Sequence, residues 1–205
     1  DVGQIIKLVY IFFFLVFIFL GIGCTKTDRT FVIEGTVPSV RYDGEWIFLV
    51  PMENAPGRVD SVKISNASFK FEGQGEEMRV IRLRPALRYY VQELLVITEP
   101  GVIKVTADSI GCVSGTPQND ALQIWKAQHE KRLAAYHFIY DGLKEAKGDD
   151  SLRLIQAFDT LKVQEKEANF LLLMNHKNTT LGQFMQRIIL PSLTNEQKKQ
   201  LDEKM

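Results

Sequence analysis

Cysteine is almost missing from this chain: 205 residues hold only Cys24 and Cys112, with no Cys-x-x-Cys pair and no Cys/His cluster. A self-contained dithiol site needs two cysteines two residues apart, so the chain carries none. Structural zinc needs four ligands at short spacings, and these are missing too. Histidine is nearly as scarce. His129 and His137 stand eight apart with no regular carboxylate or cysteine partner, and His176 stands alone. All three read as surface or hydrogen-bonded histidines rather than metal ligands. An excess of one charge is also absent: 25 Lys and Arg balance 25 Asp and Glu. A neutral chain has no bulk attraction to nucleic acid. No catalytic, cofactor-binding or metal-binding constellation stands out, and the expectation is a protein without chemistry of its own.

Long hydrophobic runs are limited to one. Leu8 to Leu20 reads LVYIFFFLVFIFL, thirteen apolar residues, with Lys7 before it and Gly21-Ile22-Gly23 after it. A spanning helix needs about 20 such residues. A basic start, a short apolar core and a small-residue exit mark a secretory signal, assigned to residues 1–23. Leu20-Gly21-Ile22-Gly23-Cys24 resembles the lipobox of bacterial lipoproteins, although Gly21 stands where Leu is usual. The resemblance implies that the Cys24 thiol is acylated and becomes the first residue of the mature protein. The alternative is an uncleaved anchor helix reaching Cys24; in both cases the chain is tethered to a membrane. Residues 24–30 are then a lipidated tether, and the part after Cys24 reaches at most about 20 Å. Thr25-Lys26-Thr27-Asp28 is not an acidic run, which favours the periplasmic face of the outer membrane.

The rest divides into a β half, residues 31–116, and an α-helical half, residues 117–205. Phe31 and Ile33, Val62 and Ile64, Phe69 and Phe71, and Ile103 and Val105 alternate with polar neighbours, as half-wet strands do. Trp46–Val50 and Leu94–Ile97 are unbroken apolar runs and read as central strands covered on both faces. Turn signals at Tyr42-Asp43-Gly44, Asn54-Ala55-Pro56-Gly57, Gly73-Gln74-Gly75 and Glu99-Pro100-Gly101 separate the strands. The fold class is therefore α+β: an antiparallel β-sandwich or open barrel followed by a helical hairpin region. In the helical half, Leu122, Trp125, His129, Leu133, Tyr136, Tyr140 and Leu143 form one stripe, expected to pack on the sandwich. Gly148-Asp149-Asp150-Ser151 breaks the chain and offers N-caps. Leu154, Phe158, Leu161, Ala168 and Leu172 make a second stripe, and Pro191 ends a third helix begun near Thr180. Thr194-Asn195-Glu196-Gln197 is a capping box, so a fourth helix opens shortly before Met205, which reads as a truncated C-terminus.

Several segments in this order resemble a domain of unknown function found at the N-terminus of bacterial thioredoxin-like lipoproteins. They are Phe31-Val32-Ile33-Glu34-Gly35, Val59-Asp60-Ser61-Val62, Ser68-Phe69-Lys70-Phe71-Glu72-Gly73, Glu99-Pro100-Gly101-Val102-Ile103 and Val113-Ser114-Gly115-Thr116 with Asn119-Asp120. Asn178-Thr179-Thr180 and Leu193-Thr194 are similar to the linker that follows in that family. The resemblance implies an attached or partner thiol-disulfide oxidoreductase lying beyond Met205. One departure is Asn66-Ala67, where that family favours Asn-Gly. Alanine in a left-handed turn costs about 1 kcal/mol, so a longer or differently twisted loop is expected there.

Other candidates have plainer readings. Cys112 is read as a small buried apolar residue rather than a redox thiol. Arg79, Arg82, Arg84 and Arg88, with Tyr89 and Tyr90, are the one basic concentration; they read as a solvated strand face before an anionic contact. Asp60-Ser61-Val62, Asp108-Ser109-Ile110 and Asp159-Thr160-Leu161 resemble a three-residue O-glycosylation signal of exported bacterial proteins, the last of them inside a helix.

Overall fold

The computed structural model describes residues 30–52, 58–88 and 90–203. The leader, Cys24, the turn at residues 54–57 and Tyr89 lie outside the described residues. Eight strands come first: β1 Thr30–Thr36, β2 Trp46–Pro51, β3 Asp60–Lys63, β4 Ser68–Gln74, β5 Met78–Leu83, β6 Leu94–Ile97, β7 Gly101–Thr106 and β8 Cys112–Ser114. They form two four-stranded sheets, ordered β4-β1-β7-β8 and β3-β2-β5-β6, stacked as a sandwich that does not close into a barrel. Every pairing is antiparallel except β1 with β7, which run parallel in the register Ile33↔Ile103.

The period-two pattern decides what lies between the sheets. Ile33, Phe71, Ile103, Val105 and Val113 from one sheet meet Ile47, Leu49, Ile81, Leu83, Leu94 and Val96 from the other. Each such side chain contributes about 1.5–3 kcal/mol when fully buried. Two glycines in β1 and β4 make room for rings across the strand pair. A Cβ on Gly35 would lie 1.9 Å from Cζ of its partner Phe69, and Gly73 accommodates Phe31 in the same way.

The Asn66-Ala67 turn is not lengthened. Both residues have φ of 52°, as a two-residue type I′ hairpin demands, and Ser65 pairs with Ser68. The strain on Ala67 is offset from outside the hairpin: the Asp43 carboxylate accepts from the N–H of Asn66 and of Ala67, both at 2.9 Å.

The apolar runs also differ from expectation. β6 is covered on both faces, but it stands at the edge of its sheet because helices, not a further strand, lie against it. β2 is central yet buries only Ile47 and Leu49, leaving Trp46 exposed on the outer face.

Four helices follow: α1 Pro117–Glu145, α2 Asp149–His176, α3 Thr180–Ile189 and α4 Asn195–Glu203. Pro117 at the first position suits a helix start. Gly148 flanks the start of α2 with φ of 58°, so Asp149 and Asp150 lie in the first turn facing the helix dipole rather than serving as caps. The capping box ahead of α4 is formed, with Thr194 N–H on Gln197 at 3.0 Å and Gln197 N–H on Thr194 at 3.2 Å. α1 and α2 are long, about 43 Å for the 29 residues of α1. They pair as a hairpin arm whose base alone meets the sandwich. There Met78 and Ile97 join Leu122, Leu173, Leu181, Phe184, Met185, Ile189, Leu193 and Leu201 in a second core.

Candidate functional site

A buried polar joint fastens the arm to the sandwich. The Glu99 carboxylate, on the turn after β6, accepts the free backbone N–H groups of Gln118 at 2.7 Å and Asn119 at 3.1 Å. These are unsatisfied donors of the first turn of α1, and a negative charge there also suits the helix dipole. Asn119 is fully buried and pairs with edge strand β6 as a missing neighbour strand would. Its Oδ1 accepts from Ile97 N–H at 2.9 Å, and its Nδ2 donates to Ile97 C=O at 2.8 Å and to Thr116 Oγ1 at 2.8 Å. Gln118 reaches the next element: Leu181 N–H in the first turn of α3 donates to its Oε1 at 2.9 Å, while its Nε2 donates to Glu76 at 2.7 Å. Thr180 Oγ1 donates to the same Glu76 carboxylate at 2.7 Å. Burial raises the pKa of Glu76, but the hydrogen bonds from Gln118 and Thr180 outweigh it and hold the carboxyl below its ordinary range.

Sequence reading placed Glu99 in a turn and Asn119 in a family-like segment, and missed their joint role. The available signal was Thr116-Pro117 as a helix start, which leaves the N–H groups of residues 118 and 119 in need of acceptors.

Beside the joint lies a cleft of about 280 Å³ between Pro51, Met52, Glu76 and Met78 on one side and Thr180, Gln183 and Arg187 of α3 on the other. It offers the carboxylates of Glu76 and Glu77, the Thr180 hydroxyl, the Gln183 amide and the Arg187 guanidinium. Among the described residues, no group of three or more His, Cys, Asp or Glu could hold a metal.

Farther out, the arm is held by a polar seam. Trp125 Nε1 donates to Asn169 at 2.9 Å, and the indole stacks on His129 with centroids 5.3 Å apart. Glu165 of α2 faces three residues of α1: Tyr136, whose hydroxyl donates to it at 2.9 Å, His129 at 3.4 Å and Arg132 at 3.5 Å. Burial, then the hydrogen bond and charge of Glu165, push the Tyr136 hydroxyl up to about 12. The aromatic stripe of α1 therefore packs on α2 and not on the sandwich as expected; only the base of α1 reaches the sheets. Tyr140 is exposed.

Cys112 is exposed, against the expectation of burial. In so short a strand one side chain faces inward, and Val113 takes that place. The arginines are neutralised locally. Arg79 is buried and paired with Asp60 at 2.8 Å and Glu77 at 2.5 Å; Arg82 and Arg88 share Glu93, and Arg84 meets Glu45. Arg82, Arg84 and Arg88 lie at the far end of the sandwich from Thr30, roughly a strand's length of 20 Å away. Of the three glycosylation-like segments, Asp108-Ser109-Ile110 is an exposed loop. The N–H groups of Gly111 and Ile110 hold the Asp108 carboxyl below its ordinary range. Asp60 is engaged by Arg79, and Thr160 donates to Gln156 C=O within α2.

The sandwich and the part of the joint made by Glu76, Glu99, Gln118 and Asn119 fall within one recognisable stretch, while Thr180 and Leu181 lie outside it. Residues 31–122 match the family model of a domain of unknown function, DUF4369. The DUF4369 stretch ends at Leu122, just past Gln118 and Asn119, so it takes in the first turn of α1 and runs beyond the boundary at residue 116 expected from strand periodicity. No curated protein and no solved structure matches the chain. No helix of the described residues is long and apolar enough to cross a membrane.

Proposed function

We propose that this chain is a membrane-tethered accessory module of the cell envelope, which holds an attached or partner thiol-disulfide oxidoreductase near the bilayer without chemistry of its own. The observation that carries the reading is the joint at Glu99, Gln118 and Asn119. It couples sandwich and arm through buried hydrogen bonds, and a spacer transmits position only if its parts do not swing. The N-terminal strand supports it further: Thr30 lies at the joint end, where β8 leads into α1, so a short tether from Cys24 would hold that end towards the lipid. The redox partner rests on the family resemblance in the sequence.

The tether is tested by Cys24→Ser in the full chain expressed in a Gram-negative host. Processing is expected to stop at the leader, and the acylated species is expected to vanish from the membrane pellet; unchanged processing and pelleting refutes the anchor. Gene sequence running on into a Cys-x-x-Cys module supports the attached enzyme, and a stop codon after Met205 removes that version. A second reading, a stand-alone envelope lipoprotein that binds a ligand or protein, is favoured by the cleft between Glu76 and α3.

A further inference from the structure

We propose that Asn119 and Gln123 are strand mimics with which the start of α1 closes two adhesive sheet edges, β6 and β8, against a second copy of the chain. The inference stands apart from the anchor and the redox partner.

The sandwich has four edge strands, β4 and β8 in one sheet and β3 and β6 in the other. An edge strand presents unpaired N–H and C=O groups and invites another strand, unless charge or a cover blunts it. Two of the four edges carry their own charges. Lys70 pairs with Glu72 at 2.5 Å on the exposed face of β4, and Asp60 and Lys63 lie in β3. β6 and β8 carry none. They read Leu94-Leu95-Val96-Ile97 and Cys112-Val113-Ser114, with no charged residue to repel a copy of themselves.

These two edges lie on one side of the sandwich. A Cβ on Gly111 would stand 2.0 Å from Leu94 Cδ2, so the chain entering β8 passes against β6. Thr98 N–H donates to Glu77 C=O at 3.0 Å, so by alternation Ile97 turns its groups away from β5. Its N–H donates to Asn119 Oδ1 at 2.9 Å, and its C=O accepts from Asn119 Nδ2 at 2.8 Å. An antiparallel neighbour residue exchanges the same two bonds. Four residues on, along the same helix face, Gln123 Oε1 accepts from Val113 N–H of β8 at 3.1 Å. One helix start therefore meets outward groups of both edges, and no described strand lies beyond either.

A helix is an effective stop here. A side-chain amide supplies the donor and acceptor of a peptide group, while the backbone of α1 bonds within itself. A further strand would instead offer its own far edge to the next chain. Without the two amides, Ile97 and Val113 lack partners, and a second copy's uncharged β6 supplies them once the start of α1 lifts.

The experiment compares the full chain in mild detergent with Asn119→Ala plus Gln123→Ala, and with Leu122→Val. The last loosens the same turn through the second core but keeps both amides. In sedimentation velocity, the double variant is expected to hold at least about tenfold more oligomer than wild type or Leu122→Val. In that oligomer, β6 amides are expected to exchange hydrogen at least about tenfold more slowly than in the diluted double variant, as strand pairing requires. If circular dichroism shows the double variant unfolded, Gln123→Ala alone, at a half-buried position, carries the same expectation for β8. A monomeric variant, equal oligomer in Leu122→Val, or fast exchange at the edge strand within the oligomer overturns the proposal.

Discussion

Replacing Asn119 by alanine tests whether the joint holds the two halves together. The side chain is fully buried, and its amide satisfies both the N–H and the C=O of Ile97 as well as the hydroxyl of Thr116. Alanine leaves the two Ile97 groups without partners at a covered sheet edge. Each such group costs about 1–3 kcal/mol, so the expected loss is about 2–6 kcal/mol, reduced by a few tenths for alanine's helix preference. Total stabilities are about 5–15 kcal/mol, so this is a large share. With a urea slope of about 2–3 kcal/mol/M, a loss of 3 kcal/mol lowers the midpoint by about 1–1.5 M. The two tryptophans report separately, Trp46 from β2 and Trp125 from α1, once each is retained singly with phenylalanine at the other position. Coincident wild-type transitions and a joint downward shift in the variant are expected. A loss under about 1 kcal/mol, or Trp46 and Trp125 unfolding at different urea concentrations in the wild type, refutes a joint that makes one body. Asn119→Asp keeps the size and the acceptor, but once ionised it cannot donate to Ile97 C=O, and it sets a second carboxyl beside Glu99. Its loss should be greater at pH 7 than at pH 5, because a buried carboxyl whose folded pKa is raised loses stability as pH climbs.

Two further outcomes can be measured. Ala67→Gly should stabilise the chain by about 1 kcal/mol, read as a raised urea midpoint, because glycine adopts the positive φ without strain; an unchanged or lowered midpoint contradicts the strain. In ultraviolet titration, Tyr136 should ionise only near pH 12, and Glu165→Gln should bring it down. Its folded pKa is raised, so its stabilising share is complete below pH 10 and disappears as pH rises towards 12. A tyrosine titration with no such late step in the wild type contradicts the seam.

Much of the fold was legible because burial imposes a period. The strand alternation of Phe31 and Ile33 or Ile103 and Val105, the break at Gly148 and the capping box at Thr194 each leave a local trace. What was hidden depends on residues far apart. Nothing near Leu94–Ile97 says whether a strand or a helix covers it, so an edge strand passed for a central one. The stripe on α1 shows which residues are covered but not by what, and α2 rather than the sandwich covers most of it. Cys112 was misplaced because three residues are too few for alternation to show, and Ala67 because its support comes from Asp43, 24 positions earlier.

The parallel pairing of β1 with β7 constrains the order in which the chain can acquire its shape. β1 cannot complete its sheet until residue 106 is available, 70 positions after its last residue, Thr36. A chain emerging N-terminus first during synthesis must therefore wait with one flank of β1 unpaired while the intervening strands arrive. Such long-range closure slows folding and leaves a sticky edge open to other chains. For this protein the hazardous interval is the one between emergence of Thr36 and emergence of Gly101, and a holding chaperone would act there.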